Sequence, residues 1–402
     1  MSENEETGSH HEESSGEDIV PDSRLVKSER EIEIKELPKE VEFNKNTLIL
    51  VTGGNGYLGS HIVKILLEEK KVRVRVSVRD INDVKRYKHL QSFKNASSRL
   101  EIVEGQLTNQ KVWTSILKGC DAVIHCACPV PFKPPSQELE VIFPAVEGTA
   151  AILKAAMELG ITRVIMTSSF SAIKGGKFHP TYSEEQWGDP EHTTSIEKSK
   201  IFSERIAWFY QKSNPDKFYL TTVCPGLLLG PCLNSHLDFA SGLFFKKFMD
   251  GRVSSIMKMQ LPFCDVRDAA LVHIQALSNP KSINNRYICV QSSAWLEDFN
   301  KLLVKNFQPV DFEFPTKLSS GFPLKLISYF DPAVKAMLPF YEKDLVIIFE
   351  KLKKDFEFNF RNLEETVRDM GQDFIEKKFI SKVTLIQQPG EGDADESQNK
   401  ES

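Results

Sequence analysis

Thr47-Leu-Ile-Leu-Val-Thr52-Gly53-Gly-Asn-Gly56-Tyr-Leu-Gly59-Ser60 is the stretch on which the fold turns. Its consecutive apolar and β-branched residues predict a strand buried on both faces, as in a parallel sheet. Glycines follow at once, spaced Gly53-x-x-Gly56-x-x-Gly59, and Leu58, Ile62, Ile65 and Leu66 then repeat at helical spacing. Strand, glycine turn and helix together form a phosphate cradle. The first glycine permits the tight turn, the second lets the backbone approach a pyrophosphate, and the third lets helix and strand pack closely. Unpaired N–H groups at the helix start then face the anion. Glycines alone fit an ordinary loop equally well; the strand before them and the helix after them point to a nucleotide.

Outward from this stretch, composition sets the bounds. The chain has 402 residues, 41% hydrophobic and 27% charged, an ordinary globular balance with ample room for a core. It contains no run of 18 apolar residues, which argues against a membrane span. Nothing in it points to nucleic acid. The acidic N-terminus has no apolar signal region. The cysteines are Cys120, Cys126, Cys128, Cys224, Cys232, Cys264 and Cys289, without metal spacing and mostly in apolar surroundings. Both features suggest a reducing, cytoplasmic setting. Residues 1–46 carry a net charge of −8 and residues 391–402 a net charge of −4, so the middle holds about +7. A basic middle suits an anionic ligand. Disordered acidic tails are expected over 1–45 and 386–402, although 29–42 could form a charged helix capped by Ser28.

Beyond residue 47, strand-like and helix-like stretches alternate, which predicts an α/β fold with a mostly parallel, doubly wound sheet. Val72–Val78 reads as the second strand, ending at Arg79-Asp80 about 20 residues past Gly59. Arg79, with Lys85, Arg86 and Lys88 behind it, suits a 2′-phosphate, whereas Asp80 would suit a ribose hydroxyl; a solvated basic strand end is the plain alternative. The reading therefore puts NADP(H) ahead of NAD(H). Leu100–Val103 is a third strand, 109–118 a helix, and Cys120–Cys128 the fourth strand and its exit, placing 126–129 beside the cofactor. Cys126 and Cys128 read as small packing residues rather than a redox pair. A helix from Val141 to Leu159 carries Pro144 in its opening turn, where proline is tolerated. Arg163-Val-Ile-Met-Thr167-Ser168-Ser169 ends a strand in hydroxyls, and 196–210 is an amphipathic helix containing Lys200.

These motifs resemble an extended short-chain dehydrogenase/reductase of the dihydroflavonol reductase-like branch, in the NAD-dependent epimerase/dehydratase superfamily. The resemblance spans residues 47–380. It rests on Val51 to Ser60, Val78-Arg-Asp80, Gly119-Cys-Asp121, Pro144-Ala-Val-Glu-Gly-Thr149 and Arg163 to Ser169. It continues in Ser199-Lys-Ile-Phe-Ser-Glu204, Cys224-Pro-Gly-Leu-Leu-Leu-Gly-Pro231, Asp265-Val-Arg-Asp268 and Arg286-Tyr-Ile-Cys289. It implies an NADP-binding Rossmann domain over 46–230 and a smaller α/β substrate lobe over 231–385, interleaved with it. The cofactor-binding residues implied are Gly53, Gly56, Tyr57, Leu58, Gly59, Arg79, Arg86, Gln106, Leu107, Ala127, Thr167, Lys200, Pro225, Gly226 and Leu228. The implied reaction is reduction of a ketone or aldehyde to an alcohol by hydride transfer, with a small apolar carbonyl or alcohol as substrate. Residues 231–262 and 292–345, rich in Phe, Met and Leu, are expected to line its pocket, although core packing explains the same composition. Asp265 to Asp268 read as lobe packing, and 318–341 as a substrate-lobe or partner surface, broken too often for a span.

In this family a Ser, a Tyr and a Lys do the chemistry. Ser polarises the carbonyl oxygen, Tyr protonates the nascent alkoxide, and Lys lowers the Tyr pKa by its adjacent charge and holds the nicotinamide ribose. Ser169 and Lys200 match two of them. The Tyr belongs four residues before Lys200, and Ile196 stands there. Isoleucine has no proton to donate, and losing a positioned general acid removes about 10²–10⁴-fold in rate. Tyr210 lies about 21 Å along the same helix at 1.5 Å per residue. Tyr182, on the connecting segment, would have to bend back. Gln106 is a second departure, since relatives carry an aspartate there that bonds the adenine amino group; its amide oxygen can still accept. Three readings compete: a reductase with an altered proton donor, a silent NADP(H)-binding sensor or scaffold, and, ranked last, an interaction protein that no longer binds nucleotide.

Overall fold

The computed structural model describes residues 41–129 and 135–386. Seven strands form its central sheet: β1 (Leu48–Thr52), β2 (Arg73–Val78), β3 (Leu100–Glu104), β4 (Ala122–His125), β5 (Arg163–Thr167), β6 (Tyr219–Pro225) and β7 (Asn285–Cys289). All pair in parallel, in the order β7-β6-β5-β4-β1-β2-β3. The direction of winding reverses between β1 and β4. A crevice therefore opens at their carboxyl ends, where doubly wound sheets receive ligands.

Both sheet faces are covered, which is why β1 is apolar and buried along its length. Ile49 and Val51 face one core with Ile62 and Val63 of helix α1 (Tyr57–Ile65). Leu48 and Leu50 face the other core with Ile152 and Ala156 of helix α2 (Leu139–Glu158) and Ala207 of helix α3 (Ser195–Ser213). Helix α4 (Val266–Ser278) joins the first side through Val272 and Ile274. A smaller sheet of Leu227–Leu229, Gln260–Asp265 and Ser292–Trp295 follows β6, and between its second and third strands the chain returns to the main sheet as β7.

Several boundaries differ from the sequence reading. Helix α2 starts at Leu139, so Pro144 lies in its second turn rather than its first. Helix α4 starts at Val266, where the Asp265 carboxylate caps it by accepting from Arg267 N–H at 2.8 Å. Val41 is already tied down: it is buried and donates its N–H to Leu277 O at 3.0 Å. The ordered chain thus includes 41–45, because apolar Val41 and Phe43 pack on the core. At the other end, Ile386 donates its N–H to Asn306 O at 2.9 Å, so residue 386 belongs with the ordered chain too. The remaining tail positions, and the charged helix expected from residue 29, lie outside the described residues apart from 41 and 42, which are not helical.

Much of the aromatic content assigned to the substrate pocket is solid core. Phe263 and Phe299 stack at 5.4 Å, and Phe245 meets Phe299 and Phe374 edge-on. Packing competes with pocket lining for such residues, and here packing takes the rings of 244–263 and Phe299. Asp265, Arg267 and Asp268 tie segments together as expected of packing charges: Arg267 bonds Asp265 and Asp369, and Arg361 bonds Asp268.

Candidate functional site

The glycine turn leaves β1 and enters α1 at the switch point. Gly53 adopts φ +64°, the left-handed region that favours glycine. A Cβ there would lie 3.0 Å from Ala127 Cα and 3.1 Å from Ala127 N, on the exit of β4. A Cβ on Gly59 would lie 2.7 Å from Gly54 Cα, so the missing side chain is what lets α1 close on the turn. Gly56 is the extended N-cap of α1, with no side-chain cap. The first N–H groups of a nine-residue helix are therefore left for an incoming anion. A pyrophosphate fits this cradle.

A hydrogen-bonded chain locks the crevice floor. Ala127 N–H donates to Thr52 Oγ1 at 3.1 Å, so the Thr52 hydroxyl proton goes to His125 Nδ1 at 2.7 Å. His125 is then neutral with its proton on Nε2, which meets Thr149 Oγ1 at 3.1 Å, and Thr149 donates to Ala145 O at 2.8 Å. Burial, aided by the Lys200 charge, lowers the His125 pKa to about 3. Beside it, His273 Nδ1–H donates to Ala269 O at 2.7 Å, leaving Nε2 to accept from Thr167 at 2.8 Å. Cys126 Sγ lies 3.2 Å from the same hydroxyl, and burial pushes its thiol up to about 12, the Thr167 contact and Lys200 opposing. No disulfide engages any of the seven cysteines.

Ser169 follows β5, its Oγ accepting from Ser171 N–H at 3.1 Å. Lys200 lies on α3, one turn after Ile196 and on the same face. Thr194 and Glu197 form a capping box that starts this helix, so Ile196 falls in its first turn. Both serine and lysine are half-buried at the carboxyl side of the sheet. A buried ion pair holds their supports together. Arg286 on β7 donates to Glu204 on α3 through Nε at 2.7 Å and Nη2 at 2.8 Å. Ser168, next to Ser169, donates to Glu204 at 2.6 Å, and Thr222 of β6 does so at 2.7 Å. Burial opposes the charge of Glu204, but Arg286 and these hydrogen bonds hold its carboxyl below the ordinary value.

The remaining sequence-predicted residues are distributed as follows. Tyr57 is buried, donates to Gly230 O at 2.7 Å and stacks on Phe239 at 3.9 Å, so its side chain fastens α1 to the segment after Leu227–Leu229. Leu58 is buried in the core. Arg79 and Gln106 are exposed beyond β2 and β3. Arg86 is ion-paired with Asp238, a partner 152 positions away that competes with any phosphate for it. Leu107 packs against Gly148 of α2, where a Cβ would meet its Cδ2 at 2.7 Å. Pro225 O accepts from Phe170 N–H at 2.9 Å, Gly226 N–H donates to Cys289 O at 3.1 Å, and Leu228 pairs with Cys264. The Tyr182 hydroxyl accepts from His179 N–H at 2.9 Å and donates to Lys177 O at 3.2 Å, so it is fully engaged.

Two groups at this edge escape a sequence reading. His273 is a single histidine in an apolar helix, and nothing local marks its contact with Thr167. Lys174, just past Ser169, lies with Nζ 3.7 Å from the centre of the Phe340 ring. Burial pulls its ammonium below the ordinary value, with Glu197 opposing.

A family model described as the NAD dependent epimerase/dehydratase family matches residues 49–289. Cinnamoyl-CoA reductase 1 of Petunia hybrida is 31% identical over 279 residues, covering 68% of this chain and 80% of that protein. Dihydroflavonol 4-reductase of Gerbera hybrida is 28% identical over 345 residues, covering 82% and 88%. Among solved structures, yeast methylglyoxal/isovaleraldehyde reductase complexed with NADPH superimposes with a TM-score of 0.65 at 23% identity, covering 83% of this chain and 99% of that one. Vestitone reductase from alfalfa (Medicago sativa L.) gives 0.64 at 23% identity, with the same coverage.

Proposed function

The chain belongs to the NAD dependent epimerase/dehydratase family, and on that premise we propose that it binds NADP(H) and reduces the carbonyl of a small apolar ketone or aldehyde. The observation that carries this reading is the cradle: Gly53 pressed against Ala127, an uncapped helix at Gly56, and Lys200 close enough to influence His125 and Cys126. When bound, the cofactor supplies the hydride. The start of α1 would hold its pyrophosphate, Arg79 would take a 2′-phosphate, and Lys200 would hold the nicotinamide ribose. Ser169 donates to the carbonyl oxygen and stabilises the charge that develops there. Lys174 and Lys200 add positive charge on that edge. No side-chain hydroxyl stands at position 196, so the alkoxide proton comes from water held by Ser169, a slow route.

Ile196 favours a second reading, in which the chain binds NADP(H) as a sensor or scaffold without turnover. Tyr182, its hydroxyl committed on both sides, offers no rescue. Two measurements separate the readings. Fluorescence titration with NADPH, with NADH as control, should show binding with NADPH preferred; no binding at millimolar concentration overturns both. Turnover of an aldehyde and ketone panel by Ile196→Tyr should then exceed the native chain by about 10²–10⁴-fold. No gain, with NADPH binding intact, favours the silent reading.

A further inference from the structure

The segment after Leu318 carries the largest side chains the fold leaves in water. Two short helices, Gly321–Ile327 and Pro332–Met337, meet at a tip formed by 328–331. Phe322, Tyr329 and Phe330 are 81%, 84% and 86% exposed, with Leu326, Ile327 and Met337 also exposed around them. Exposed single apolar residues are ordinary, but a cluster of aromatic rings raised this far marks a contact surface. The knob has a firm base. Leu324 and Phe340 are buried, Tyr341 donates to Ser319 O at 2.9 Å, and Ser319 N–H donates to Ile256 O at 2.8 Å. The rings are therefore held outward by an anchored scaffold.

We propose that this knob is a membrane-docking surface that enters the headgroup region of an anionic bilayer. Charge selects that occupant. Lys325 and Lys335 are exposed on the two helices and Lys317 at their base, and Asp331 is the single acidic residue from 316 to 337. Its carboxylate turns to the Val334 N–H at 3.3 Å, at the start of the second helix. A net charge of about +2 thus sits on this segment of a chain whose total is −5. Apolar rings flanked by lysines match an interface of acyl chains beneath anionic headgroups. A second copy would bring two segments of the same positive charge together. Among the described residues no helix is long and apolar enough to cross a membrane, so the contact is peripheral. Phe340, at the foot of the knob, lies on Lys174 and meets Phe178 edge-on at 6.2 Å, which adds to the anchorage of the knob.

The test is flotation of the full chain with vesicles of phosphatidylcholine containing phosphatidylserine, beside vesicles of phosphatidylcholine alone, with light scattering for oligomeric state. It needs neither cofactor nor turnover, so it stands apart from the reductase reading. The native chain should float with the anionic vesicles and less with the neutral ones. Phe322→Ser/Tyr329→Ser/Phe330→Ser should lower the bound fraction at least ~10-fold while keeping its melting temperature, since none of the three is buried. Lys325→Glu/Lys335→Glu should remove the preference for phosphatidylserine. Failure of the native chain to float overturns the proposal, as does undiminished flotation of the triple variant. So does a dimer that the triple variant dissolves without any vesicle binding, which would assign the knob to a second copy.

Discussion

Glu204→Leu probes whether the buried pair, and not the local motifs, holds the site together. Glu204 is 0% exposed and Arg286 7%. The substitution leaves the guanidinium without its charge partner and removes the acceptor of Ser168, of Thr222 and of Trp208 Nε1, the last at 3.2 Å. Removing one side of such a pair costs about 3–5 kcal/mol, roughly 10²–10³-fold or more in the folding equilibrium. Urea unfolding followed by tryptophan fluorescence should show a lower midpoint with an unchanged slope. Glu204→Leu/Arg286→Met removes both charges and should recover most of the loss, because apolar replacement of a buried pair is often neutral. The pH dependence has a definite sign. The folded carboxyl titrates below its ordinary 4.5, so the pair's contribution is full above that value and is lost as pH falls through the lower folded one. A loss below about 1 kcal/mol for Glu204→Leu, or a double variant no better than the single, would refute the reasoning.

Gly53→Val should abolish NADPH binding in a fluorescence titration, since it forces a β-branched residue to φ +64° and drives a side chain against the Ala127 backbone; retained affinity would mean the cradle is not the site. His61, His125 and His273 are buried, with pKa values lowered by burial to about 4, 3 and 4. Unfolding raises each toward 6.5, so the unfolded chain binds more protons below that pH and stability falls on acidification. The slope should approach ~4 kcal/mol per pH unit midway between pH 6 and 4, read from urea midpoints across that range. A flat profile would show that these rings are not held neutral.

Several elements around the crevice were legible in the sequence. The strand, turn and helix around Gly53 and the hydroxyls ending β5 follow from local periodicity, whereas Ser169, Lys200 and Ile196 stood out only through the family resemblance. The missing tyrosine is visible only in sequence terms, as an isoleucine where a motif expects a phenol. What escaped was set by long-range partners. Glu204 and Arg286 stand 82 positions apart, and Thr167 and His273 stand 106 apart. Their pairing depends on the sheet order that puts β7 beside β6 and α4 over β5.

The sequence by itself determined the strand, glycine turn and helix around Gly53, because backbone conformation there is fixed within a few residues. Tertiary structure alone decided which histidines are neutral, that Arg86 meets Asp238, that the Phe263–Phe299 cluster is core, and that Tyr329 and Phe330 face water. Burial is a property of what packs against a residue. An apolar residue reads the same in a core as on a raised tip until its neighbours are in place.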